Sequence, residues 1–196
     1  MTKRLGLFGG TFDPIHTGHL LIAQMALEHC QLDEVLFIPS ARPPHKTDRS
    51  LIAFEHRLAM TSLAVAGSKS FAVSDVEQRF SDLSYTIQTL RWIQSHRPDC
   101  SFYLIIGSDS LLALPTWKQP EELVQRAELI VYRRLEYDPA QAEKRFLEKA
   151  HLIDHPIIDV SSTWVRDRIQ DGLSIRYLVP EHVEEYLIRH QLYNKT

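Results

Sequence analysis

At 196 residues, with 44% hydrophobic and 24% charged side chains, the chain is long enough to bury a core and has the make-up of an ordinary soluble domain. A formal net charge of −3 argues against a general nucleic-acid binder, and two cysteines, Cys30 and Cys100, make a disulfide framework or a cysteine-based zinc site implausible. No uncharged apolar stretch nears the roughly 18 residues that a bilayer span needs, and the amino terminus lacks a signal-peptide layout, so a soluble, cytoplasmic protein is expected.

Taken in chain order, Arg4–Phe8 reads as an apolar strand that stops at Gly9 and Gly10, and Gly18–Cys30 as the helix after it. Glu34–Ile38 is a second strand, followed by a turn-rich loop, Pro39–Ser50, and a helix over Ala53–Ala66. Phe71–Ser74 is a short strand. The next helix is Ser84–His96, and Leu83, Ile87, Leu90 and Ile93, which recur at three or four from the residue before it, mark one buried face. Phe102–Ile106 and Leu129–Tyr132 are strands, with a helix at Pro120–Arg126 between them. A helix over Pro139–Ala150, a strand at Ile157–Val160, and helices over Ser162–Asp171 and Pro180–His190 complete the reading.

Several strands are apolar without alternation, as strands covered on both faces are. Alternating strands and helices predict an α/β fold: a single domain over residues 1–196, with an open parallel sheet and helices on both faces. In such sheets ligands bind beyond the carboxyl ends of the strands. The segments there are Gly9–His19, Pro39–Lys46, Gly107–Asp109, Arg133–Arg134 and Ser161–Arg166, and all carry polar or glycine-rich chemistry.

Gly9 and Gly10 remove Cβ atoms where the first strand turns, which lets backbone N–H groups approach an anion. His16 and His19, three apart at a helix start, face one side and can each donate to a phosphate oxygen. A metal site using Asp13 and a merely structural turn are the alternatives. In Val160–Arg166 the hydroxyls of Ser161, Ser162 and Thr163 suit a helix cap, whereas Arg166 opposes the helix dipole unless an anion binds there. Arg42, His45 and Lys46 gather positive charge in a loop stiffened by Pro43 and Pro44. Gly107 permits close approach by a flat ring, and Asp109 can accept from a ribose hydroxyl or simply cap a helix. Trp117 is either core or a stacking platform. A GxxxxGK[ST] phosphate loop is absent, against a P-loop hydrolase or kinase.

GGTFDPIHTGH resembles the GxFDPxHxGH signature of nucleotidylyltransferases, and VSSTWVR their second signature, with Val160 where Ile is commoner. PPHK, EHRLAM, LSYTIQTL, IIGSDSLLALPTW and YLVPEHVEEYL are similar to blocks of bacterial nicotinate-nucleotide adenylyltransferases, so the resemblance runs from Gly6 to Tyr193. It implies a Rossmann-like fold and transfer of AMP from ATP, with Mg²⁺, to nicotinate mononucleotide, giving deamido-NAD and pyrophosphate. By position it implies that His16 and His19 hold ATP phosphates and the leaving-group charge, with Ser162, Thr163 and Arg166 gripping the triphosphate from the other side. Gly9, Gly107 and Asp109 accommodate the adenosine, with Gly10, Thr11 and Phe12 on the same ATP-binding turn. Lys46 meets the mononucleotide phosphate, Thr86 the nicotinate carboxylate, Trp117 the pyridine ring, and Arg134 or its neighbour Arg133 the same cavity. The metal rides on ATP with no protein ligand set, and no nucleic-acid or membrane partner is implied. Nothing transfers onto Leu135–His151. A sister enzyme for nicotinamide mononucleotide or phosphopantetheine is one rival. A catalytically silent nucleotide sensor is another; its mark would be loss of His16, His19 or Arg166, and all three are present.

Overall fold

The structure, a computed structural model, describes residues 2–43, 51–80, 83–153, 156 and 159–195. Six strands form one wholly parallel sheet: β1 (Lys3–Gly10), β2 (Glu34–Pro39), β3 (Phe71–Val73), β4 (Cys100–Gly107), β5 (Glu128–Tyr132) and β6 (Ala150–Ile153). Their order is β3-β2-β1-β4-β5-β6. Parallel neighbours cannot be joined by a tight turn, so every connection crosses over, here through α1 (Thr17–His29), α2 (Phe54–Val65), α3 (Thr86–His96), α4 (Ser108–Ala113), α5 (Pro120–Arg126) and α6 (Lys144–Leu147). Two more helices, α7 (Ser162–Gln170) and α8 (Glu181–Arg189), follow the last strand.

The unalternating apolar runs are explained by two cores. Phe8, Phe37, Tyr103, Ile105, Ile130 and Tyr132 point to one face, under Ala23 and Ala26 of α1, Met60 of α2, Val165 of α7 and Leu187 of α8. Leu7, Leu36, Ile38, Leu104, Ile106 and Val131 point to the other, under Ile87, Leu90 and Ile93 of α3, Leu111 of α4 and Leu123 of α5. A period of two with both faces buried leaves no polar position in a strand. This is the doubly wound arrangement, and successive strands run outward in opposite directions from the β1–β4 boundary, where a crevice must open.

Three expectations are corrected. The sixth strand is Ala150–Ile153, where Leu152 is 48% exposed; an edge strand needs less apolar content, so its sequence looks like a helix end. Of the strand expected at Ile157–Val160, Asp159 and Val160 are irregular, and Ile157 and Ile158 lie outside the described residues. The helix expected over Pro139–Ala150 is a 3₁₀ turn at Pro139–Gln141 and the single turn of α6, because Ala142 and Glu143 adopt extended backbone between them. α3 starts at Thr86 and not Ser84, which is engaged with Arg42. Among the described residues no helix is long and apolar enough to cross a membrane.

Candidate active site

β1 ends at Gly10, and the chain then turns sharply into α1. Phe12 takes up left-handed backbone (φ 48°), which costs a non-glycine residue on the order of 1 kcal/mol. Its ring is 1% exposed and packs edge-on to Phe8 and His19, with centroids 5.7 and 5.1 Å away. A Cβ on Gly10 would stand 2.9 Å from that ring, whereas one on Gly9 would meet nothing within 4 Å. The two glycines therefore do different work: Gly10 makes room for Phe12, and Gly9 leaves the strand end open. His16 caps α1, and its backbone N–H donates to Nδ1 of His19 at 3.2 Å. An accepting Nδ1 leaves the neutral His19 ring with its proton on Nε2. The two imidazoles stack, 3.6 Å between centroids. Burial, helped by the charge of Arg134, holds the His16 pKa down at about 4, so this ring is neutral at pH 7.

The second signature folds against the first. Ser161 caps α7 by accepting from the Trp164 N–H. Ser162 Oγ donates to Pro14 O at 2.9 Å, and the Arg166 guanidinium donates to Asp13 O at 2.6 Å and to Thr163 Oγ1 at 3.2 Å. Its charge lies 3.6 Å from the Asp13 carboxylate, which is 4% exposed and also accepts from the Tyr193 hydroxyl at 2.7 Å. Arg166 is the fifth residue of α7, one turn in from the end, so it opposes the dipole less than its place in the sequence suggested.

At the carboxyl ends of the strands, over the β1–β4 boundary, lies a cavity of about 800 Å³. Gly9, Gly10, Thr11, Phe12, His16 and His19 line it from the first signature, and Ser162, Thr163 and Arg166 from the second. Asp109, Arg134, Arg133, Thr86 and Trp117 line the remainder, so all five segments expected beyond strand ends meet there in full or in part, Pro39–Lys46 through Ser40 and Pro43, although Ser161–Arg166 follows irregular chain and not a strand. Gly107 is not in the lining. A Cβ there would be 2.2 Å from Asp109 Oδ1, so the glycine leaves room for the Asp109 carboxylate. Lys46 lies outside the described residues.

Two buried polar atoms in this lining have no hydrogen-bond partner among the described residues: His16 Nδ1 and Asp109 Oδ1. Such atoms are rare in folded proteins and are open to a ligand or an ordered water. The other Asp109 oxygen is 3.3 Å from Arg134, whose backbone N–H donates to the fully buried Ser108 Oγ. No three His, Cys, Asp or Glu side chains among the described residues stand close enough to hold a metal ion. Asp13, the carboxylate beside the histidines, is already engaged by Tyr193 and Arg166.

Sequence reasoning missed two residues that build this cavity. Arg57 is 1% exposed, and its Nη1 donates to Thr11 O and Ser40 O, both at 2.7 Å, while Nε donates to Ile52 O. It thus holds together the loops that leave β1 and β2. A signal existed: Arg57 shares a helix stripe with Met60, Thr61 and Val65, so a charge falls where an apolar residue belongs. Glu77, 6% exposed, accepts from the Ala41 N–H and Thr89 Oγ1, and burial pushes its pKa up. With the Arg42 N–H donating to Ser84 Oγ, it ties the loop after β2 to the start of α3, where Thr86 enters the cavity. Nothing in the sequence around Glu77 marks it.

A doubly wound parallel sheet with two anion-suited helix starts converging at its switch point defines a nucleotide-binding α/β protein of the nucleotidyltransferase type. The cytidylyltransferase-like family matches residues 7–168. A Salinibacter ruber (strain DSM 13855 / M31) protein described as a "probable nicotinate-nucleotide adenylyltransferase" is 44% identical over 192 residues, covering 98% of each chain. A Synechococcus sp. (strain JA-3-3Ab) protein of the same description is 45% identical over 196 residues, covering 97% of this chain and 95% of its own. A Plasmodium falciparum nicotinic acid mononucleotide adenylyltransferase solved in complex with NaAD has the same fold, with a TM-score of 0.78 at 24% identity over 97% of both chains. The chain belongs to the nicotinate-nucleotide adenylyltransferases of the cytidylyltransferase-like family.

Proposed function

We propose that this protein transfers AMP from MgATP to nicotinate mononucleotide, giving deamido-NAD and pyrophosphate in NAD biosynthesis. The observation that carries the reading is the convergence of two helix starts, α1 with His16 and His19 and α7 with Ser162, Thr163 and Arg166, on one cavity beside the lining residues Thr86 and Trp117. The mononucleotide phosphate is anionic near neutral pH, so it attacks the ATP α-phosphate in line without a general base or covalent intermediate. Catalysis then rests on alignment and on stabilising the charge that gathers on pyrophosphate. A rate gain on the order of 10⁶ needs about 8 kcal/mol, and one charged hydrogen bond supplies about 1.5–3 kcal/mol, so several donors must act together.

The state of each donor assigns its part. His19, whose Nδ1 accepts from the His16 N–H, and neutral His16 act as hydrogen-bond donors, and Arg166 supplies the positive charge. Asp109 Oδ1, buried and unpartnered among the described residues, suits a ribose hydroxyl. Trp117 stacks on the pyridine ring, Thr86 and Arg134 serve the mononucleotide, and Lys46 its phosphate. Mg²⁺ arrives on the triphosphate, held by substrate and water. A cytoplasmic location fits a reaction that draws on ATP. The direct test measures pyrophosphate release from ATP with nicotinate mononucleotide, nicotinamide mononucleotide and phosphopantetheine side by side. The nicotinate compound is expected to give the highest kcat/KM, and a higher value for either other acceptor overturns the assignment.

A further inference from the structure

The turn that presents His16 is held on both sides by carboxy-terminal residues. On one side the backbone N–H of Thr17 donates to Leu178 O at 2.8 Å, and its hydroxyl reaches the same oxygen at 3.0 Å. On the other, Tyr193 Oη donates to Asp13 Oδ1 at 2.7 Å across 180 residues of sequence. Tyr193 lies beyond α8 in left-handed backbone (φ 64°). Its ring packs against the core under α1, α2 and α8 and is outside the cavity lining. Asp13 joins it to the chemistry. One carboxylate oxygen takes the Tyr193 hydroxyl, the other faces Arg166 at 3.6 Å, and the Asp13 carbonyl takes an Arg166 hydrogen bond at 2.6 Å. The orientation of a 4%-exposed carboxylate is thereby set by the hydroxyl on one side, and the direction of the guanidinium by that carboxylate on the other.

We infer that Tyr193 is a positioning residue for adenylyl transfer, which through Asp13 aims Arg166 and braces the turn carrying His16. The inference rests on the function proposed above only in so far as Arg166 is taken as the cationic donor. Burial, and then the neighbouring Asp13, keep the Tyr193 hydroxyl protonated, so across the working pH range it serves Asp13 only as a donor. Without that proton Asp13 Oδ1 is buried and unpaired, and the carboxylate turns toward Arg166 and draws the guanidinium off its line.

Y193F in the full chain deletes only this donor. Its kcat for pyrophosphate release is expected to fall about tenfold while KM for ATP moves less than about threefold, since misaimed charge stabilisation is felt in the transition state. In an R166K background the same change is expected to cost less than about twofold, because the two residues act in series. The guanidinium ¹⁵N resonances of Arg166 should shift in Y193F and stay put in Y186F, whose hydroxyl meets His56 away from the cavity. An equal loss in both backgrounds, a loss confined to KM, or unmoved Arg166 resonances overturns the inference. Should wild type release no pyrophosphate with nicotinate mononucleotide, the functional reading fails, and the resonance comparison decides the positioning role by itself.

Discussion

In the proposed reaction, neutral His16 and its stacked neighbour His19 make the residue-scale chemistry specific. A neutral imidazole donates without adding charge to the resting cavity, so its contribution grows as negative charge builds on the departing oxygen. His19→Ala should therefore lower kcat by about 10²-fold or more while the dissociation constant for ATP changes only a few-fold. Comparable losses in both would make His19 a plain binding group. Trp117, which lines the same cavity, is the corresponding test at the proposed mononucleotide end. Trp117→Ala should raise KM for nicotinate mononucleotide by about tenfold, a stacking contact being worth about 1–2 kcal/mol, and leave KM for ATP within about twofold. A larger effect on ATP would put the adenine there instead.

At the scale of elements, the site depends on how two strand ends are kept in register after their ladder runs out. The β1–β2 pairing ends at Gly10 with Pro39, Ser40 N–H donates to Gly10 O, and Arg57 Nη1 then bridges Thr11 O and Ser40 O. Arg57→Met keeps the length and the apolar stem but leaves three carbonyls unserved. A loss of about 3 kcal/mol in unfolding free energy is expected, with activity falling further than the folded fraction does, as chemical denaturation and kcat on the same preparation would reveal. If the variant is as stable as the parent, the clamp is redundant. Arg57→Lys should not rescue it, because one ammonium cannot reach carbonyls in three directions with the fork geometry of a guanidinium.

For the molecule as a whole, the buried neutral His16 makes stability depend on pH in a definite direction. Its folded pKa of about 4 lies below the ordinary 6.5, so the unfolded chain binds the proton first. The contribution of His16 is complete above pH 6.5 and is lost as pH falls toward 4, up to about 3 kcal/mol in all. Urea unfolding at pH 7.5 and pH 5 should show a smaller drop for His16→Gln than for the parent. Identical drops would assign the acid sensitivity to other groups.

Much of this was legible in one dimension. Periodicity and length identified five of the six strands, the parallel sheet and four of its strand-end segments, because a doubly covered strand must be apolar throughout and a crossover needs a helix. The two signatures, His16, His19 and Ser161–Arg166, could be read because glycines, caps and paired imidazoles act over a few residues. The edge strand Ala150–Ile153 escaped because one partner strand and partial cover relax the demand for apolar side chains. Gly107 carried its signal without its reason: the atom it avoids belongs to Asp109, and only coordinates show that. Arg57 with Thr11 and Ser40, Glu77 with Ala41 and Thr89, and Tyr193 with Asp13 join residues up to 180 positions apart. Local sequence determined which groups could bind phosphate. The packing of α2, α7 and α8 against the sheet decided which buried donors hold them in place, since a hydrogen bond between distant segments depends on tertiary distance and on nothing that the neighbours in the chain encode.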